Sequence, residues 1–396
     1  MRKLNVLVSG ASLAGPALAY WLHRYGCTVT VVEQAPALRP GGQAVDFKGE
    51  THRQVLERMG LLDAVRRVQT GKTDLVIVDE HNKRLATIPG EFTGGDVEVL
   101  RGDLARLLYQ QTATGCHYLF GDSITALTQT GSSVEVALEQ AAPRTFDLVI
   151  GADGIHSNVR RLAFGPEERF VRYLGSYYAV VGVYGAHDGA APSQQRGTGL
   201  LYNRPGRLAW VGGPKAPTMY VFASQQLDYD RDNVAQQKRI VAEAFAGVGW
   251  QVPRLLQALP DAPEFYLDSI SKVEMERYTS GRVALVGDAA YGNTLGGFGT
   301  GLALVGAYVL AGELAVAGGD HRAAFGRYNE QLHQYAKIAR KGNAGRFLAP
   351  PTPARIRLRN WTFRFSLPLR LLMRVTDRYA TDIDLRDYPK EVERSG

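Results

Sequence analysis

Cysteine is nearly absent. Only Cys27 and Cys116 occur in 396 residues, which excludes a disulfide framework and any four-thiolate metal site. Long apolar runs are missing as well: the longest, Gly301 to Gly312, falls short of the roughly 20 residues a membrane helix needs and is followed by Glu313. No integral membrane segment is therefore expected. The start, Met1-Arg-Lys-Leu-Asn, enters an apolar strand with no cleavable signal pattern, so the expected compartment is cytoplasmic. No repeat or low-complexity tract is seen. His52, His117 and His156 show no metal-ligand spacing and no Ser-His-Asp grouping, so no metal is expected. Hydrophobic residues at 45% and charged residues at 21% exclude disorder, collagen and coiled coil as whole-chain descriptions.

What the chain has in excess is glycine, 44 residues, and positive charge, net +7. Much of that charge lies late: Arg340, Lys341, Arg346, Arg355, Arg357, Arg359, Arg364, Arg370, Arg374 and Arg378, interleaved with Trp361, Phe363 and Phe365. The favoured reading is a solvated helix face whose aromatics pack inward, not an RNA or membrane site. A positive surface also speeds association with phosphorylated cofactors. No nucleic-acid partner is expected, and the chain should be a monomer or homodimer.

Val6-Leu-Val8 within Leu4 to Ser9 is continuous rather than alternating, as in a strand buried on both faces. A glycine turn, a helix over Ala14 to Tyr25 ending at Gly26, and a strand Thr28 to Val32 complete a βαβ unit. Helices are expected over Gln54 to Val65, Leu104 to Gln111, Asn233 to Phe245 and, last, Arg322 to Ala339. Asp74 to Ile88 alternates like a solvated antiparallel hairpin. Tyr118 to Phe120, Val134 to Leu138 and Leu148 to Ile150 read as strands. Tyr177 to Val183, Leu208 to Gly212 and Met219 to Ala223 read as an aromatic-rich β platform. Val283 to Gly287 returns to the buried-strand style of the N-terminus. One nucleotide domain interrupted by an insertion follows.

Four motifs carry chemistry. Gly10-Ala-Ser12-Leu13-Ala14-Gly15 sits where a dinucleotide fingerprint belongs: Gly10 permits the turn, Gly15 lets helix and strand approach, and the helix N-terminus offers free N–H groups to a pyrophosphate. Pro16 costs nothing in the first turn. Glu33, eighteen residues beyond Gly15, can accept from ribose hydroxyls and disfavours a 2′-phosphate. Gly287-Asp288-Ala-Ala, followed by a glycine run to Gly301, delivers Asp288 to a strand's carboxyl end, where it can accept from a ribityl hydroxyl. The run then opens a helix whose positive end can face a developing anion. Asp153-Gly154-Ile-His-Ser157 is another strand-to-helix turn, which an ordinary N-cap at Ser157 would also explain. Arg101 stands just ahead of a helix.

Together these motifs resemble the single-component flavoprotein aromatic hydroxylases of the para-hydroxybenzoate hydroxylase fold, over nearly the whole chain. Arg39-Pro-Gly-Gly-Gln43-Ala-Val-Asp-Phe-Lys-Gly49 makes it most similar to polyketide-tailoring and tetracycline-inactivating monooxygenases. The resemblance implies an α/β fold: a Rossmann-like, GR2-type FAD-binding domain (residues 1–72, 97–168 and 275–320), an inserted antiparallel β-sheet substrate domain (73–96 and 169–274), and a C-terminal helical segment (321–396), with its long helix, bridging the two.

It also implies FAD held by Gly10, Ser12, Leu13, Ala14, Gly15, Glu33, Gln43, Arg101, Ile124, Asp153, Asp288, Gly299, Thr300 and Gly301. NAD(P)H would reduce the flavin and O2 would react through a C4a-hydroperoxide to hydroxylate an aromatic or polyketide-like small molecule. Tyr177, Tyr202, Arg204, Trp210 and Phe222 fall in the substrate sheet and are candidate pocket residues; no acid or base is assigned. The loop after Gly-Asp-Ala-Ala departs from the family: Thr294-Leu295 replace a frequent proline and asparagine, and Tyr291 a frequent histidine. The Trp-x-Trp-x-Ile-Pro signature of flavin halogenases is absent, whereas Baeyer–Villiger insertion, dehydrogenation, reduction or mere ligand binding use the same motifs.

Overall fold

The computed structural model describes residues 3–39, 42–182, 197–213, 218–297, 299–339, 342–365 and 384–389. The apolar stretches Val6–Val8, Leu148–Ile150 and Val283–Leu285 form the centre of a six-stranded sheet. Its order is 279–280, 283–285, 148–151, 5–9, 28–33, 117–120, and every pairing is parallel except 279–280 with 283–285. Parallel strands need cover. Helix Ala14–Arg24 packs against both Arg101–Thr112 and Gly299–Val316, and a three-stranded sheet (124–129, 134–138, 144–146) joins the same core. The helix Gly299–Val316 is apolar all round because it runs through that core. Its 18 residues are long and apolar enough to cross a membrane, more than the run from Gly301 to Gly312 suggests, and 83% of it is buried inside the protein.

A seven-stranded sheet follows the order 265–273, 171–181, 218–223, 207–211, 197–204, 73–78, 84–88. It is not wholly antiparallel: 197–204 runs parallel to 73–78, because the early hairpin docks onto a strand that arrives more than a hundred residues later. The expected hairpin at 74–88 forms, but its first strand is interior to this sheet and only 84–88 is an edge. The helix expected over 54–65 splits into Glu50–Arg58 and Leu62–Arg67, since Gly60 takes φ +68° between them. Val183 lies outside the described residues.

The C-terminal part touches both sheets' surroundings. The helix His321–Ala339 buries Phe325, Tyr328 and Leu332 at helical spacing. Helix Pro353–Arg364 lies along strand 84–88, and residues 384–389, which form neither helix nor strand, dock on the helix Gly299–Val316. The basic helix corrects the expectation that its aromatics pack inward. Only Phe363 does; Trp361 is 53% and Phe365 46% exposed, whereas Arg359 is buried and donates to the carbonyls of Phe347 and Leu348. An arginine can turn inward when backbone carbonyls take its donors. Of the other basic residues, Arg340, Lys341, Arg370, Arg374 and Arg378 lie outside the described residues.

Candidate functional site

The fingerprint turn is built by close approach. Gly15 packs so tightly that a Cβ there would come within 1.9 Å of the Gly10 carbonyl oxygen. Gly10 N–H closes the turn on the Val32 carbonyl at 2.7 Å. The helix that follows, with Leu13 at its N-cap, has no side-chain cap and no acidic residue in its first turn. Its first N–H groups are left for an incoming anion. Arg101, the first residue of its own helix, places its guanidinium on Ser12 Oγ at 2.9 and 3.1 Å. Its backbone N–H donates to the Gln43 carbonyl at 3.2 Å, so the 42–43 loop, Ser12 and Arg101 converge at one end of the sheet. Glu33 does more than await a ribose. It braces the turn, accepting from Ala11 N–H at 2.7 Å and Ala35 N–H at 2.9 Å.

The second half of the cleft comes from the other strand end. Gly287 takes φ +66° and stands against Ala14, leaving no room for a side chain there, so the Gly-Asp turn presses on the fingerprint helix. Asp288 is exposed to solvent, yet the protein around it raises its carboxyl above the usual range, opposed by Arg101. Gly299 and Thr300 open the core helix beside it: a Cβ at Gly299 would lie 3.5 Å from Asp288 Oδ1. At Gly301 the next wall is the buried imidazole of His52, which fills the space a side chain would need. A cationic guanidinium, an uncapped helix end and two carboxylates, all glycine-lined, suit a dinucleotide with hydroxyls to be held at both ends. Pro40, Gly41 and Phe298 lie outside the described residues.

The chain matches the FAD binding domain family over residues 3–340. It is 35% identical to a flavin-dependent monooxygenase of Legionella longbeachae over 86% of this chain and 88% of that one, and 39% identical to another from an unknown prokaryotic organism over 84% and 86%. The solved tetracycline destructase Tet(55) superposes with a TM-score of 0.79 at 33% identity, covering 98% of this chain and 99% of that one. The chain belongs to the FAD-binding flavin-dependent monooxygenases. FAD is accordingly its cofactor and oxidation its chemistry.

In this monooxygenase two of the expected cofactor residues are placed differently from the others. Asp153 turns into its own helix, accepting from Ser157 Oγ at 2.5 Å and Val159 N–H at 3.0 Å while Ser157 caps Arg160 N–H at 3.0 Å. That is the N-cap arrangement. Ile124 heads a strand of the three-stranded sheet with its side chain in the core and its carbonyl taken by Asn158.

The candidate pocket residues divide between two faces of the seven-stranded sheet. Tyr177, Tyr202 and Phe222 lie on the face covered by helices Val234–Ala244 and Val252–Ala258, with Tyr177 stacked on Phe222 and Tyr202 on Trp250. Leu295 of the glycine loop packs against the cluster on the opposite face, which includes Tyr178, Leu201, Trp210 and Val221. A strand's side chains alternate, so the cleft-facing residues are one position along from three of those expected; Trp210 is on the cleft side, and Arg204 is exposed at a hairpin end. Sequence gives the alternation but not which set of alternate residues faces the cofactor.

The sequence also concealed a cluster after Gly154. His156 lies between two carboxylates, with Nδ1 3.0 Å from Glu167 and Nε2 3.0 Å from Asp268. Burial lowers its pKa, but the two carboxylates outweigh this and hold it up at about 9; burial raises Glu167, and His156 brings it down to about 2. Glu167 further takes Arg231 at 3.1 Å and stands 3.7 Å from the buried Arg160, which donates to the Ala289 carbonyl at 3.0 Å. The two Asp-Gly and Gly-Asp turns are thus tied through Arg160. A histidine two residues past Gly154 was the available signal; its partners, 11 and 112 residues away, were not.

Two histidines give stability an optimum. Burial pushes His52 down to about 4, against Asp96, so as pH falls below about 6.5 the unfolded chain takes up a proton the folded chain refuses, and stability is lost. His156 acts in reverse: its contribution is full below about 6.5 and disappears as pH rises through about 9. The urea midpoint is therefore expected to peak near pH 6 to 7. His156→Gln should flatten the alkaline limb and His52→Asn the acid limb; limbs unchanged in both variants would refute the assignment.

Proposed function

We propose that this monooxygenase uses NAD(P)H and O2 to hydroxylate an aromatic or polyketide-like small molecule of the polycyclic type that the name tetracycline destructase implies for its structural relative. The observation that supports this is the meeting of Arg101 with Ser12 and the Gln43 carbonyl beside the uncapped fingerprint helix, which Glu33 braces and against which Gly287 presses next to Asp288. Residues 1–72, 97–168 and 275–320 form the FAD-binding body in this reading, 73–96 and 169–274 the substrate body, and 321–396 the bridge.

Bound FAD supplies the redox chemistry and the activation of oxygen, which no amino-acid side chain provides. The protein's share is binding and exclusion. The free N–H groups at Ala14 and Gly15, with Arg101 beside them, take the pyrophosphate. Glu33 and Asp288 take ribose and ribityl hydroxyls. The start of the helix at Gly299, Thr300 and Gly301 would offer its positive end to an anionic part of the bound cofactor. Tyr178, Trp210, Met219 and Leu295 form an apolar wall that keeps water from the reacting centre.

The test is to purify the yellow protein and follow NADH and NADPH oxidation with tetracycline and other aromatic polyketides, tracking product mass. Substrate-stimulated oxidation with a gain of one oxygen is expected. Reductant consumption that no member of the panel stimulates, with no oxygenated product, would refute the proposal. Arg101→Gln should raise the FAD dissociation constant by about tenfold, the worth of one charge-assisted contact, and should weaken its dependence on salt.

A further inference from the structure

One polar group on the cleft face of the sheet serves neither the cofactor motifs nor the core. Strand 265–273 alternates so that Tyr266, Asp268 and Ile270 share the face of Tyr178, the register partner of Asp268. Tyr266 is 45% exposed, its ring 5.8 Å from that of Tyr178, and both lie close enough to Arg101 to feel its charge. Its hydroxyl donates to Asp268 Oδ2 at 2.7 Å.

The direction of that bond is fixed from behind. Asp268 is buried, and its Oδ1 also meets His156 Nε2 at 3.0 Å and Ser269 N–H at 2.6 Å. With a carboxylate at each ring nitrogen, His156 carries both protons, and Asp268 stays ionised. An ionised carboxylate only accepts. The Tyr266 proton is therefore committed to Asp268. What its hydroxyl turns to the cleft is oxygen lone pairs.

We propose that Tyr266 is a specificity-determining residue: it accepts a hydrogen bond from a hydroxyl or N–H group on the substrate, and the Glu167–His156–Asp268 chain behind it denies it the role of donor. The inference rests on the reading of this cleft as the place where a small molecule is oxidised. A ligand with a phenol or amide N–H at this point is bound; one presenting an ether or ketone oxygen sets lone pair against lone pair and is rejected. Rejection by unpaired polar groups is the stronger side of such discrimination.

The experiment compares 1-naphthol, naphthalene and 1-methoxynaphthalene by equilibrium dialysis with the purified protein, measuring FAD content in parallel. Wild type should bind the naphthol about tenfold more tightly than either analogue, the scale of one hydrogen bond. Tyr266→Phe should level the three while keeping full FAD content. Asp268→Asn is the sharper variant. His156 holds the amide oxygen, so the amide N–H group faces Tyr266, whose proton is released to the cleft; preference should then pass from the naphthol to the methoxy ether. A naphthol preference that survives in Tyr266→Phe, an absent preference in wild type, or FAD lost on Tyr266→Phe, which would make the cofactor its partner, overturns the proposal. Each of these is read without turnover, so failure of the oxygenation assay alone leaves this inference standing, and failure here leaves the oxygenation reading standing.

Discussion

Asp288→Ala should purify largely colourless. The carboxylate stands at the end of the strand Val283–Leu285, held on the fingerprint helix by the tight approach of Gly287 to Ala14 and flanked by the first residue of the core helix. The protein around it disfavours ionisation, with Arg101 as the opposing influence, so a hydroxyl-rich ligand that hydrogen-bonds the carboxylate stabilises its charged form. Hydrogen bonds to charged groups are worth roughly 1.5 to 3 kcal/mol, which puts the loss of FAD affinity near a hundredfold. The ratio of visible to ultraviolet absorbance after purification, and reconstitution with added FAD, measure it. Asp288→Asn keeps an acceptor and should retain much of the colour. A fully yellow Asp288→Ala would remove this residue from the cofactor site.

The second large effect is on stability, at Glu313. Its carboxylate is buried within the core helix and takes Arg327, Gln331 at 2.8 Å, Tyr388 at 2.7 Å and Arg386 at 3.2 Å. Burial raises its pKa, and the hydrogen bonds led by Arg327 more than reverse this, leaving it lowered. It is the anchor by which residues 384–389 fasten to the body. Breaking a buried ion pair from one side costs about 3 to 5 kcal/mol; Arg327 and Arg386 are half-exposed and can recover water, so Glu313→Ala should lose about 2 to 3 kcal/mol. Urea unfolding measures the loss, and trypsin should cut near Arg386 before the rest of the chain. Glu313→Gln, which keeps one acceptor and a donor, should fall between. A C-terminus that remains protected in Glu313→Ala would show that other contacts, such as Arg58 with Asp387, carry the strap.

These two residues mark where sequence was and was not enough. The strand end that carries Asp288 could be read locally, because a buried strand, a glycine and a carboxylate are requirements met within a few residues; its proposed role came from the family resemblance. Glu313 could not: it reads as a polar end to an apolar run, and its value comes from Gln331 and Tyr388, which no local pattern connects to it. The pocket aromatics fall between these cases. Their alternation was legible, but Tyr177 and Tyr178 are equally aromatic, and burial under helices Val234–Ala244 and Val252–Ala258 decided which faced away.

By itself, the sequence determined the buried parallel strands and the glycine turns at their ends, because apolar continuity and absent side chains act over distances of a few residues; the cofactor came from the family those turns resemble. Only the tertiary structure decided the face of the sheet that meets the cleft, the direction of the Tyr266 proton and the charge on His156. Each of these depends on which groups come within about 3 Å across separations of many residues, and electrostatic and hydrogen-bond energies at that range are set by position, not by composition.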